Sequence, residues 1–290
     1  MKPPSKRTAL LKIISFVVVG QMIFSFFPQV FWNVIPDLPF LKGPGKGAFI
    51  SVVLLVIVSY LFLKSDRSSF KELGVDRIMR FKQLGFGILA GVAMNAISAF
   101  MLAWMFNFEW KINVNFNMGI ILLGLLLNCW SVIAEELLYR GYAFKRSVKQ
   151  FGTPVSLIIF ILFFVVFHWF AWGVISNPMR MLSVFITVGL GGLLFSVAFL
   201  RTGSLALPAG LHLGIIWANA DLFTGMFARW YDNKQGLFYP INTTHVDIMW
   251  QKSWLLINIP YIFVCILAIA AIWFCGRKNK SVTGAASVDV

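Results

Sequence analysis

The chain has 290 residues, 59% of them apolar and only 12% charged, with a net charge of +14 and a mean hydropathy of +0.81. A water-soluble domain carries roughly 25% charged residues, so the composition excludes a soluble globular protein and describes one that lives in lipid. The positive charge fits loops facing anionic headgroups rather than a nucleic-acid partner, because no basic stretch is interleaved with aromatics outside the apolar runs.

Eight segments supply the roughly 20 helical residues that cross a ~30 Å hydrocarbon layer. They lie near 9–31, 47–63, 83–106, 117–145, 154–174, 181–200, 204–226 and 254–275. The first follows Lys2, Lys6 and Arg7, as a signal peptide would. Its apolar run is too long and lacks a small-x-small cleavage site, so it reads as an uncleaved anchor. The loop 64–82 carries six Lys/Arg among scattered apolar residues, which suits a short amphipathic segment on the membrane surface. In the longest opposite loop, 227–253, Trp230, Tyr231 and Trp250 read as interfacial anchors. With the N-terminus inside, the cytoplasmic segments hold 17 Lys/Arg against 7 in the other loops, and this asymmetry places both termini in the cytoplasm. The three cysteines, Cys129, Cys265 and Cys275, show no CxxC spacing and read as packing residues.

The expectation is therefore an all-α polytopic membrane helix bundle of about eight transmembrane helices, N-in/C-in. Residues 1–290 form one integral membrane domain, set in a bacterial cytoplasmic (plasma) membrane, with the informative helices over 117–226.

Ionisable residues inside spans are few, and each is a functional candidate because an unpaired charge in hydrocarbon is costly. Eight of the eleven acidic residues fall in loops or tails, which leaves Glu135, Glu136 and, near a span end, Asp221. His168 and His212 also lie within spans, and His245 does not. Glu135 on the fourth span and His168 on the fifth both lie roughly 22 Å from the turn at 151–153, so they can meet across neighbouring antiparallel helices. His212, roughly 12 Å from its own turn, matches that depth less well. Glu136 and Arg140 stand at i,i+4 and can pair along one helix face, which leaves Glu135 to its own neighbours. Asn128, seven residues before Glu135, shares its face. Gly189, Gly191 and Gly192 suit close helix packing. The residues alone leave three readings open: interhelical glue, a proton or ion pathway of a transporter, and acid–base catalysis by a buried carboxylate.

Three motifs then stand in order: E-E-x-x-x-R at Glu135–Arg140, F-x-x-x-H at Phe164–His168, and His212 after the run Gly203–Leu211. The series resembles the CPBP intramembrane proteases, which include the CAAX prenyl endopeptidases and the bacteriocin-processing and self-immunity (Abi) proteins. The resemblance covers roughly 128–220. It implies an intramembrane endopeptidase acting on membrane-associated peptides or proteins, including lipidated or signal-like ones. Glu135 would be the general base, with His168 holding the water, Glu136 and Arg140 supporting, and His212 stabilising the oxyanion. The third motif in that family usually reads H-x-x-x-N or H-x-x-x-D, whereas Ile216 stands four residues after His212. Asn219, two turns from His212 on a similar face, is the candidate replacement for the oxyanion donor. The resemblance also raises the alternative of a catalytically weak or inactive interaction or bacteriocin self-immunity protein. A metal-free glutamate mechanism is favoured over zinc; a zinc site would use Glu135, His168 and His212.

Overall fold

A computed structural model of the chain describes residues 6–33, 43–73, 79–223, 236–242 and 254–275. The elements are α1 (Lys6–Ser25), α2 (Phe27–Val30), α3 (Gly43–Ser65), α4 (Met79–Phe106), β1 (Glu109–Ile112), α5 (Met118–Tyr139), α6 (Tyr142–Phe151), α7 (Thr153–Ala171), α8 (Pro178–Thr202), α9 (Ala206–Trp217), β2 (Phe238–Ile241) and α10 (Trp254–Cys275). Seven of the described helices are long and apolar enough to cross a membrane. Large apolar side chains such as Trp104, Phe86 and Phe274 are strongly exposed, as expected of a bundle whose outer surface meets lipid. The chain is an all-α integral membrane protein.

Local signals set the helix ends. The Asn117 side chain accepts the backbone N–H of Ile120 at 3.2 Å to open α5, and Asn177 accepts that of Arg180 at 3.1 Å ahead of Pro178 in α8; both satisfy amides that a helix start leaves free. Gly152 (φ +82) stops α6, and Gly203 (φ +65) stops α8 in the left-handed region that glycine favours. The expected fourth span, 117–145, breaks at Arg140–Gly141. A Cβ on Gly141 would lie 2.2 Å from the Leu137 carbonyl, so the break needs a glycine. The residues that follow, Tyr142–Phe151, form the amphipathic helix α6.

The seventh expected span, 204–226, is described as the 12 residues of α9 followed by a five-residue π-helical turn, Ala218–Leu222. It is too short to count among the seven, yet it carries the chain from the Lys/Arg-rich end to the opposite one. It can be short because it packs against protein backbone. Gly87 and Gly91 of α4 face Gly210 and Gly214 of α9. A Cβ on any of the four would come within 2.2 to 2.8 Å of a carbonyl oxygen on the other helix. This is small-residue packing of a kind that brings membrane helices into backbone contact. Of the expected packing glycines in α8, Gly191 and Gly192 are tight, against Tyr261 and against Phe164 and Arg140, while Gly189 has ordinary room.

Twelve of the sixteen described Lys/Arg gather at one end of the bundle. Lys46, Lys111 and Arg180 stand at the other, and Arg140 lies between. By the positive-inside rule the basic end is the one expected to face the cytoplasm. There α1 and α3 meet through Lys12 and Asp66 at 2.6 Å, and the end of α10 meets α8 through Arg201, 4.2 Å over the Trp273 ring. Burial alone would raise the Asp66 carboxyl, but Lys12, Tyr142 and Arg146 hydrogen-bond to it and hold it below the usual carboxylate value. The described part of the loop 64–82 includes a 3₁₀ turn, Phe70–Leu73, pinned to the bundle. Leu73 is buried and its carbonyl accepts the Leu205 N–H, so this part docks on protein. At the opposite end β1 and β2 pair antiparallel, Glu109 opposite Ile241. The expected interfacial anchors Trp230, Tyr231 and Trp250 lie outside the described residues.

Candidate active site

The cluster forms where α5, α7, α8 and α9 meet. Glu135 and Glu136 occupy the last full turn of α5, Arg140 caps that helix, and all three are buried. His168 is near the end of α7, and His212 is midway along α9. One carboxylate oxygen gathers both imidazoles: Glu135 Oε2 is 4.0 Å from His168 Nε2 and 3.7 Å from His212 Nε2. That oxygen is buried and finds no hydrogen-bond partner among the described residues, although buried polar atoms are nearly always satisfied.

The expected meeting of Glu135 with His168 is thus observed, and His212 joins them despite its shorter distance from its own turn. The turns at Gly152 and Gly203 do not lie at one level. The turn at Gly152 is carried farther from the site by α6, so depths counted from the two turns have no common origin.

The partners of each ring fix its tautomer. His168 Nδ1 lies 2.8 Å from the Phe164 carbonyl, which can only accept, so Nδ1 carries the hydrogen and Nε2 turns a lone pair toward Glu135. His212 Nδ1 lies 2.9 Å from Glu136 Oε1. The same oxygen accepts from Arg140 Nη1 at 3.2 Å, the i,i+4 pair expected on this helix. Arg140 also donates to the Gly192 carbonyl at 3.2 Å and lies 4.4 Å over the Phe164 ring, a cation–π contact within the usual 6 Å. Phe195 stacks on the His212 ring at 4.4 Å. Arg140, Glu136 and His212 therefore form a chain ending at Glu135. The sequence reading missed its middle link, since nothing in the spacing ties residue 136 to residue 212.

Glu135, His168 and His212 stand at the floor of a cavity of about 1630 Å³, larger than the 300–1,000 Å³ of common small-molecule sites. Ile216, Asn219 and Asp221 share its wall with Glu135, His168 and His212. Asn128 was expected near Glu135, but its amide donates to the Gly124 carbonyl at 2.9 Å and to Asp221 Oδ2 at 3.3 Å. Asp221, which the sequence places near a span end, is buried within the cavity wall because the π-helical turn folds it back against α5. An aspartate within reach of the third motif was the available signal.

Ligands on zinc bonds of about 2.0 Å stand roughly 3.3 Å apart in a tetrahedron, and the imidazole nitrogens are 3.7 and 4.0 Å from Glu135 Oε2. Among the described residues no group of three or more His, Cys, Asp or Glu is arranged to hold a metal ion.

No curated protein and no solved structure matches the chain. The family described as type II CAAX prenyl endopeptidase Rce1-like does match, over residues 117–218. The match takes in Glu135, Glu136, Arg140, His168 and His212 and stops one residue short of Asn219. Over those residues, about a third of the chain, the protein is similar to the CAAX-type proteases of the CPBP family.

Proposed function

We propose that the chain is an intramembrane endopeptidase that hydrolyses peptide bonds of membrane-associated substrates with a water activated by Glu135. The family gives the class, a CAAX-type protease. The observation that supports the mechanism is the convergence of both Nε2 atoms on the unpartnered Glu135 oxygen.

In this mechanism the water gives one hydrogen to Glu135 and directs the other to His168 Nε2. Its oxygen bonds to the carbonyl carbon of the scissile peptide, and the carbonyl electron pair moves onto oxygen. His212 and Asn219 donate to that oxyanion, a service worth about 3–4 kcal/mol for one well-placed donor. Nδ1 of His212 already carries a hydrogen toward Glu136, so an Nε2–H makes the ring an imidazolium. Two carboxylates are then balanced by Arg140 and His212, and the buried cluster is neutral overall. When the tetrahedral species collapses, the C–N bond breaks and Glu135 passes its proton to the leaving amine. The products are a carboxylic acid and an amine. No step runs through a metal.

Ile216, standing where the resemblance asks for Asn or Asp, favours a second reading: a membrane interaction or self-immunity protein that cleaves nothing. Purified protein is mixed with a quenched-fluorescent membrane peptide, with and without a zinc chelator. The protease reading expects cleavage that chelation leaves unchanged. Loss on chelation with recovery on added zinc would overturn the metal-free mechanism. No cleavage, together with equal protection of cells against a bacteriocin by wild type and Glu135→Gln, would establish the second reading.

A further inference from the structure

Among the described residues, the cavity runs from the catalytic cluster toward one end of the bundle only. On α5 it is lined from Ile120 to Glu135, on α8 from Met179 to Phe195, and on α10 from Ile257 to Tyr261. The α7 lining begins at Phe164 and continues past the helix end to Trp172 and Val174. In each case the lining starts at the end of the helix that is poor in Lys and Arg and stops at the level of the cluster. No residue of α6 takes part.

On the other side of the cluster the protein is closed. Arg140, Tyr142, Phe144, Phe199 and Leu200 lie between the site and the basic end, and none is more than 5% exposed. Their rings interlock, Phe144 lying 5.4 Å from Phe160 and 6.0 Å from Phe199. Beyond them Lys145, Lys149 and Glu72 tie α6 to the turn at Phe70–Leu73. A chain arriving at the basic surface would have to part this packing to reach Glu135.

Aromatic residues mark the open end. Trp32, Trp110 and Trp172 line the cavity there, and Trp is enriched where helices leave hydrocarbon for water. The basic end, with twelve described Lys/Arg to three at the other, is the cytoplasmic one by the positive-inside rule. The mouth therefore faces away from the cytoplasm.

We infer that the site takes its substrate from the non-cytoplasmic face: a membrane-anchored peptide whose scissile segment descends from that side, and not a cytoplasmic prenylated tail. The identity of the occupant as a substrate rests on the proteolytic reading; the direction of access does not. From Ile120 to Glu135 the wall is roughly 22 Å deep, so an extended peptide needs about six or seven residues to span it at ~3.3 Å each.

The test uses full-length protein in which Cys129 and Cys275 are changed to Ser and Cys265 to Ala. One cysteine is then placed at the mouth (Met179→Cys) or at the basic end (Lys71→Cys); both positions are exposed. A membrane-impermeant maleimide is applied to intact bacterial host cells and to inside-out vesicles. The expected result is that Met179→Cys labels in intact cells and Lys71→Cys only in vesicles. The reverse pattern overturns the inference, whatever the activity. Membrane-peptide reporters with the cleavage segment on either face form the second arm, each run beside Glu135→Gln. Cleavage of the non-cytoplasmic reporter alone is expected, abolished by Glu135→Gln and slowed at least tenfold when Met179→Cys is labelled. Cleavage of the cytoplasmic reporter alone overturns the direction while leaving the protease standing. Labelling as expected with neither reporter cut removes the protease and leaves the direction of access standing.

Discussion

Gly214→Ala adds one methyl group and removes no polar atom, yet it is expected to disable the site. The new Cβ would stand 2.2 Å from the Ile88 carbonyl oxygen, where ordinary contact begins near 3.4 Å. The atom in the way is backbone, so no side chain can rotate aside, and α9 must retreat from α4 by about 1 Å. His212 sits two residues earlier on the same helix and moves with it. A catalytic group misplaced by about 1 Å costs on the order of 10²-fold in rate, equal to about 2.7 kcal/mol of barrier. Overpacking adds about 1–3 kcal/mol of lost stability. The assay is kcat/KM on a membrane-peptide reporter, normalised to folded protein, beside a thermal melt. Gly189→Ala is the control: its Cβ would lie 3.6 Å from Val165, and both measurements should match wild type. If Gly214→Ala keeps activity within threefold and melts with wild type, backbone contact between α4 and α9 does not hold His212 in place.

Further outcomes follow from the cavity wall and the basic end. Asn219→Ala should lower kcat about tenfold or more by removing an oxyanion donor, and Ile216→Asn in that background should restore part of the loss; unchanged turnover in Asn219→Ala would exclude it from the oxyanion site. Asp66→Asn should lower the melting temperature at neutral pH, because Lys12 and Arg146 lose their anionic partner. The Asp66 carboxyl is held below its usual 3.8, so the stability it contributes is present above that pH and disappears as pH falls through the lowered value. The gap between wild type and Asp66→Asn should therefore close below about pH 3.8, and a gap independent of pH would contradict the assignment.

Much of this was legible in the sequence because lipid simplifies the problem. Apolar runs of sufficient length mark membrane crossings, and the scarcity of intramembrane ionisable groups reduced the candidates to a handful. Glu135, Glu136, His168 and His212 were all on that short list, and the structure gathers them. The Glu136–Arg140 pair was readable because i,i+4 spacing is local. What sequence spacing could not show was tertiary. The Glu136–His212 bond joins residues 76 positions apart. Two G-x-x-x-G pairs, 87–91 and 210–214, mark the contact between α4 and α9, but the spacing alone does not say which glycines meet. Asp221 lies near a span end in the sequence, and the π-helical turn that returns it to the cavity has no marked sequence signal. The break at Gly141 was hidden because apolar and amphipathic helix run together there without a proline.

The most direct test of the chemistry is a single comparison of kcat/KM for wild type and Glu135→Gln on the same membrane-peptide reporter, with folding checked by melting. The amide is nearly isosteric but cannot take the proton of the attacking water, so a fall of about 10²- to 10⁴-fold is expected with the melt unchanged. Turnover by Glu135→Gln equal to wild type would contradict the account, because the carboxylate to which both imidazoles turn would then have no part in breaking the bond.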